Sequence, residues 1–343
     1  MTGPGAIVVL GAGLIGCFVG GRLTIAGPVA LLGRDALVEE IAQNGLWFSE
    51  RSEIRTAARP EQLRVTSDPG ALAGAELILV CVKSAATADA AAAIAAHAPH
   101  DAPIISFQNG VGNVELLRSA LPGRTVLAGM VPFNVARRAA GHFHKGTAGD
   151  LVVQSDPSLD RWIARFAAAG LPIVPASDMA GVAWGKLVIN LNNAVNALSG
   201  LPLAAQLADR DFRRAWSMAQ REALALLKVA GIVPAPYNGR SLRLLAHMLV
   251  LPDALFNMLN RRGTGRVDRH ARSSMADDLA GGRLTEVDYI NGAVVALAMR
   301  LGRPAPVNEC LVSLVHAAER GATPWTGPAL RQHLERMLRV PHR

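Results

Sequence analysis

The chain has 343 residues, half of them hydrophobic and 18% charged, which supplies a sizeable core and excludes wholesale disorder. Its three cysteines, Cys17, Cys81 and Cys310, are odd in number and far apart, which excludes a disulfide framework or a zinc spacing and fits a reducing cytoplasm. The balance of 35 basic against 27 acidic residues gives +8, but only four basic residues are lysine and aromatics are only 4%; scattered arginines without interleaved aromatics argue against nucleic acid.

In chain order, Ala6 to Gly21 is free of charge. No Lys or Arg precedes it, and Arg22 cuts it short of the roughly 20 residues a membrane span needs. It reads instead as a buried strand, Ala6–Leu10, and a helix from Leu14 to about Ile25. Val29–Leu32 is a second strand, and Glu76–Val82 is another continuous apolar run. Pro103–Phe107, Thr125–Met130 and Leu151–Gln154 are further strand candidates. Runs apolar on both faces and separated by helices predict a parallel sheet covered on both sides.

After about Pro175 the period is helical, with breaks at 200–202, 234–236 and 302–304. Helices are expected over Ala183–Leu198, Asp211–Ala230, Ser241–Leu259, Ser273–Gly281, Glu286–Leu301 and Val307–Arg320, with an Arg-rich surface helix after Thr326. The fold class is therefore α/β: a Rossmann-type doubly wound domain over residues 1–178 and an all-α domain over 179–343.

The first strand runs into Gly11-Ala12-Gly13-Leu14-Ile15-Gly16, a G-x-G-x-x-G at a strand-to-helix turn. The first glycine allows the tight turn, the second lets a pyrophosphate approach the backbone, and the third lets helix pack on strand. The second strand ends at Arg34, with Asp35 after it. A guanidinium there can pair with a 2′-phosphate, which favours NADPH, while Asp35 keeps NADH in play.

Lys186 lies in the segment Trp184–Asn190, with Asn190 at i+4 and Asn193 at i+7, so one helical face carries an ammonium and two amides. The structural alternative is an inter-helix polar network. Farther on come Ser273-Ser274-Met275 and then Thr285-Glu286, where Thr285 can cap a helix and Glu286 can serve its dipole.

Taken together, Val9–Gly16, Val80–Ser84, Phe107–Asn113, Trp184–Asn190 and Gly282–Gly292 resemble the ketopantoate reductase family, 2-dehydropantoate 2-reductases of the 6-phosphogluconate-dehydrogenase-like group. The resemblance covers most of the chain, and the Lys186 and Glu286 segments are its specific parts. It implies reduction of 2-dehydropantoate to (R)-pantoate by NADPH, on the route to pantothenate and coenzyme A. It further implies Lys186 as general acid, with Glu286 accepting a hydrogen bond from the substrate hydroxyl and positioning the lysine. Asn190, Asn193 and Ser274 would contact substrate, and Lys83 and Asn109 would serve the cofactor side. No metal is implied, and a homodimer is an expectation.

The chain departs from the family pattern at Ala194 and Ala271, where amides are usual, and in a long segment from 234 to 272. Asn193 takes the place of the second amide if one residue is missing nearby. Two alternatives remain open: a reductase of another small 2-oxo acid, and an NADP-binding regulator without turnover.

Overall fold

Strands apolar on both faces organise the first half of the computed structural model, which describes residues 6–50, 54–237, 239–260 and 271–339. Part of the 234–272 segment lies outside the described residues. The chain divides into two compact units, Met1–Met179 and Ala180–Arg343.

In chain order the first unit holds β1 (Ile7–Leu10), α1 (Leu14–Leu23), β2 (Val29–Leu32), α2 (Asp35–Asn44), β3 (Trp47–Ser49), β4 (Thr56–Ala57), β5 (Leu63–Thr66), β6 (Leu77–Val80) and α3 (Thr87–His97). It continues with β7 (Ile104–Ser106), α4 (Asn113–Ala120), β8 (Val126–Met130), β9 (Val135–Ala139), β10 (His142–Lys145), β11 (Leu151–Gln154), α5 (Asp160–Ala168) and β12 (Ile173–Ala176). The main sheet has eight strands in the order β12-β11-β8-β7-β6-β1-β2-β5. From β5 to β8 neighbours run parallel, whereas β11 pairs antiparallel with β8 and carries β12 parallel to itself.

Every residue of β1, β2 and β6 is buried. Burial of each such Val, Ile or Leu side chain contributes about 1.5–3 kcal/mol, and one apolar cluster forms on each face of the sheet. This is a Rossmann-type unit, as the strand–helix alternation predicts, but its far edge is not purely parallel. The sequence reading also missed a second sheet of four strands, β4-β3-β10-β9. That sheet packs on α1 through Phe18, whose ring meets Phe48 and Phe133 edge-on at centroid distances of 6.3 and 5.6 Å.

The second unit is helical: α6 (Met179–Asn190), α7 (Asn192–Ser199), α8 (Leu203–Ala208), α9 (Arg210–Val229), α10 (Leu242–Met248), α11 (Asp253–Asn260), α12 (Ser274–Ala280), α13 (Val287–Arg300), α14 (Pro306–Glu319) and α15 (Gly327–Met337). Two expected long helices are broken. The predicted Ala183–Leu198 divides at Leu191, and Ser241–Leu259 divides before Asp253, where Pro252 removes a backbone donor. The final helix is no mere surface element, because Leu330 and Leu334 are fully buried.

Arg213 of α9 is a hub of this unit. Its guanidinium, fully buried, donates to the carbonyls of Leu207 (2.9 Å), Ala208 (3.0 Å), Leu249 (3.2 Å) and Leu251 (3.2 Å). It also pairs with Asp253 at 2.7 Å and lies 4.1 Å from the centre of the Phe256 ring.

Candidate functional site

In a doubly wound sheet the chain reverses its winding between two neighbouring strands, and the crevice at their carboxyl ends collects ligands. Here those strands are β1 and β6. The turn after β1 is pinned to its neighbour: the amides of Gly11 and Ala12 donate to Leu32 O at 3.0 and 3.1 Å, and Gly13 N donates to Gly11 O at 2.8 Å. Gly11 has φ +106°, and a Cβ there would sit 2.5 Å from Val82 N in the loop after β6. A Cβ on Gly16 would overlap the Gly11 carbonyl oxygen. Both positions therefore require glycine, for conformation and for close approach.

Gly13 differs. A Cβ there would meet nothing within 4 Å, and Gly13 caps α1 with no side chain bonded to the first turn and no acidic residue in it. Bare helix-end amides beside open space fit the pyrophosphate of a dinucleotide, the arrangement such glycine turns serve. Arg34 follows β2, exposed, at the N-cap of α2, and Asp35 opens that helix.

Lys83 is exposed at the end of the β6 loop. Asn109 lies in the turn after β7, and buried side chains bind the two loops together. Ser84 Oγ donates to Asn109 O at 3.2 Å, and Asn113 Nδ2 donates to Asn109 O at 2.8 Å. Gln108 Nε2 donates to Thr87 Oγ1 at 2.7 Å and to Val82 O at 3.2 Å. Ser106 Oγ donates to Gln108 Oε1 at 3.0 Å, and Thr87 Oγ1 lies 2.9 Å from Asn113 Oδ1. The sequence reading gave no role to Ser84, Gln108 and Asn113, although they lie in the segments that carry the resemblance, and it passed over Thr87. Their common signal is four polar residues just after two strands' carboxyl ends.

In the helical unit Lys186 sits on α6, partly buried. Burial lowers its pKa from 10.5 to about 8, and the negative charge of Glu286 works in the opposite direction. The structure thus brings Lys186 and Glu286 into electrostatic range although a hundred residues separate them. Glu286 is at the N-cap of α13 rather than inside it, and Thr285 still accepts a bond from Val287 N at 3.3 Å.

Asn190 ends α6 and Asn193 stands in the first turn of α7, both partly exposed. Ala194 is fully buried. Leu191, the break between the helices, keeps near-helical angles (φ −57°, ψ −19°).

Of the two adjacent serines, Ser273 is the cap: its Oγ accepts from Ala276 N at 3.2 Å and donates to Asn193 O at 3.3 Å. Its amide donates to Asn196 Oδ1 at 2.9 Å. Ser274 is left exposed at the first position of α12, beside the Asn193 turn. Ala271 offers only its carbonyl, which accepts from Leu203 N at 2.8 Å. Among the described residues no group of three or more His, Cys, Asp or Glu is arranged to hold a metal ion, and no helix is long and apolar enough to cross a membrane.

The class is that of Rossmann-type oxidoreductases that join a parallel-sheet unit to a helical one. Residues 7–157 match the family Ketopantoate reductase PanE/ApbA, and residues 178–319 match Ketopantoate reductase PanE/ApbA C terminal. The chain belongs to the ketopantoate reductase family. It is 28% identical over 324 residues to a 2-dehydropantoate 2-reductase of Halobacterium salinarum, covering 92% of this chain and 99% of that one.

Among solved structures, a PanE/ApbA family ketopantoate reductase from Ralstonia eutropha JMP134 is 30% identical with a TM-score of 0.78, covering 92% of this chain and 98% of that one. A D-mandelate dehydrogenase in ternary complex with NADH and anilino(oxo)acetate shares the fold at 19% identity and a TM-score of 0.75, covering 92% of this chain and 98% of that one.

Proposed function

We propose that this protein uses NADPH to reduce 2-dehydropantoate to (R)-pantoate, with Lys186 as the general acid. One observation carries the reading: the fold brings Lys186, partly buried on α6, within electrostatic range of Glu286, and that burial lowers its pKa to about 8. An acid in that range is charged at neutral pH yet gives up its proton readily. When bound, the reduced nicotinamide supplies the hydride for the ketone carbon.

Lys186 holds a proton at Nζ and passes it to the ketone oxygen, and its charge stabilises the alkoxide as that oxygen becomes negative. Glu286 accepts a hydrogen bond from the substrate hydroxyl and keeps the lysine charged. Asn190 and Asn193 donate amide hydrogens to the hydroxyl and carbonyl region, and the exposed Ser274 hydroxyl donates to the carboxylate. Gly11 to Gly16 receive the pyrophosphate, Arg34 the 2′-phosphate, and Lys83 and Asn109 the nicotinamide side. The homologues named 2-dehydropantoate 2-reductase support the choice of acid.

A second reading, reduction of a different small 2-oxo acid, draws on Ala194 and Ala271, which stand where the resemblance leads one to expect amides in contact with substrate. Fold alone does not decide between the two, since the D-mandelate dehydrogenase shares it.

The test is to mix the purified protein with NADPH or NADH and a panel of 2-oxo acids and follow nicotinamide absorbance across pH. Fastest oxidation of NADPH with 2-dehydropantoate is expected. Because the acid must be protonated for reduction, the forward rate should fall above about pH 8, and oxidation of (R)-pantoate should rise over the same range. Preference for another acid would favour the second reading. A forward rate unchanged from pH 7 to 9.5 would remove Lys186 from the proton-donor role.

A further inference from the structure

The segment around Glu286 is held on one side by Glu319 and on the other by His316, two residues of α14 that bond to each other. His316 Nδ1 lies 2.9 Å from Glu319 Oε2, and its Nε2 lies 3.0 Å from Asp288 Oδ1. The other oxygen of Glu319 accepts from the Thr285 amide at 2.8 Å and from the Thr285 hydroxyl at 2.7 Å. Thr285, Glu319, His316 and Asp288 therefore form a ring that the backbone closes through Glu286.

A neutral imidazole has one N–H and one lone pair, so it can donate to only one carboxylate and turns its lone pair on the other. An imidazolium donates to both. The hydrogen bond to Glu319, helped by the bond to and charge of Asp288, raises the His316 pKa above its usual 6.5 against the opposing effect of burial. Burial pushes the Glu319 carboxyl up, but its bonds to His316 and Thr285 outweigh that and hold it below its ordinary value. Asp288 on α13 and Glu319 on α14 are the charged groups that act on the ring.

We propose that His316 is a positioning residue for the reaction: its protonated form closes the ring and fixes the Glu286 carboxylate, and loss of that proton loosens the carboxylate and weakens the hold on the 2-oxo acid. The inference rests on the reading of Glu286 as a substrate contact. The direction follows from the chemistry: the paired state is the protonated one, so the grip is complete at low pH and fades as pH rises through the histidine's pKa. This is distinct from the Lys186 effect, which acts on the proton-transfer step and hence on kcat.

The experiment uses the full chain in three forms: wild type, His316→Gln, and His316→Lys, whose charge does not titrate in this range. Hydrogen exchange of the Thr285 amide, which donates to Glu319, and of the 287–290 amides that follow it, corrected for intrinsic rates, reads the ring without requiring turnover. Wild-type protection should drop roughly tenfold from pH 6 to 8.5, the scale of one charge-assisted hydrogen bond. His316→Gln should be low throughout, and His316→Lys high throughout. In the assay, KM for the 2-oxo acid should rise by a similar factor in wild type and stay flat in His316→Lys, while the kcat limb near pH 8 persists in both.

Protection that ignores pH in wild type, or that survives in His316→Gln, overturns the proposal. So does a KM profile that is the same in wild type and His316→Lys. If no 2-oxo acid is reduced, the substrate reading fails, and the exchange data alone decide whether the ring exists.

Discussion

Lys186, the proposed general acid, carries a cost for folding. Its folded-state pKa of about 8 lies below the usual 10.5, so the charged lysine is less favourable folded than unfolded. The cost is fully present below about pH 8 and fades as pH rises toward the unfolded value; at pH 7 it amounts to about 3 kcal/mol at most. Lys186→Met keeps the length of the side chain and discards the charge. It is expected to raise stability at pH 7 by about 1–3 kcal/mol in urea titrations, and to cut ketone reduction by roughly 10²–10⁴-fold. A variant that is both less stable and nearly as active would contradict both halves.

Arg34 is the corresponding test on the cofactor side. Exposed at the end of β2, it has little folding role to lose. Arg34→Ala should weaken NADPH by about 10–100-fold and NADH by less than about threefold, because only the former presents a phosphate to the guanidinium. Titration of cofactor fluorescence reads this directly, and equal weakening of both would remove the stated basis for NADPH.

Lys186 could be picked out in the sequence because lysine is rare here and amides follow it at helical spacing. Ser273 and Ser274 could not be told apart, since two adjacent hydroxyls are equally good caps until the backbone fixes which one faces Ala276 N. His316 and Glu319 gave no signal at all. Their partners, Thr285 and Asp288, lie some thirty residues away, and only the packing of α14 on α13 joins them.

At the scale of elements, what was legible is what hydrophobic pattern encodes. β1, β2 and β6 are continuous apolar runs buried on both faces, and their bounds agree with expectation to within two residues. The strands of the second sheet carry no such pattern. β4 has two exposed residues, and β9 holds Arg137-Arg138 with only Val135 buried. Strand direction is likewise absent from composition, so the antiparallel joint between β8 and β11 emerges only from the hydrogen bonds.

The break at Leu191 was hidden for a different reason: the apolar period passes straight through it, and the residue remains near helical angles. Yet that joint bears on the site. It leaves Ala194 in the core and Asn193 partly exposed, so the second amide proposed for substrate stands on the following helix, not on that of Lys186 and Asn190.

On the scale of the molecule, a chain of two compact units need not unfold in one step, and Arg213 allows this to be tested. Its guanidinium, fully buried, serves four backbone carbonyls around α9 and the loop before α11. Removing it leaves polar groups without a donor and strips the cover from Phe256, a loss of about 3–5 kcal/mol. Lysine is no substitute, because one ammonium cannot span the fork of contacts.

In calorimetry, Arg213→Ala and Arg213→Lys should lower the transition of the helical unit by roughly 6–15 °C. The Rossmann-type unit, which holds the glycine turn, should keep its own transition and its upward shift with NADPH, about 2.7 kcal/mol at a hundredfold excess over Kd. If a single transition moves as a whole, and NADPH raises all of it, the two units unfold together, and the helical core governs the stability of the nucleotide site as well.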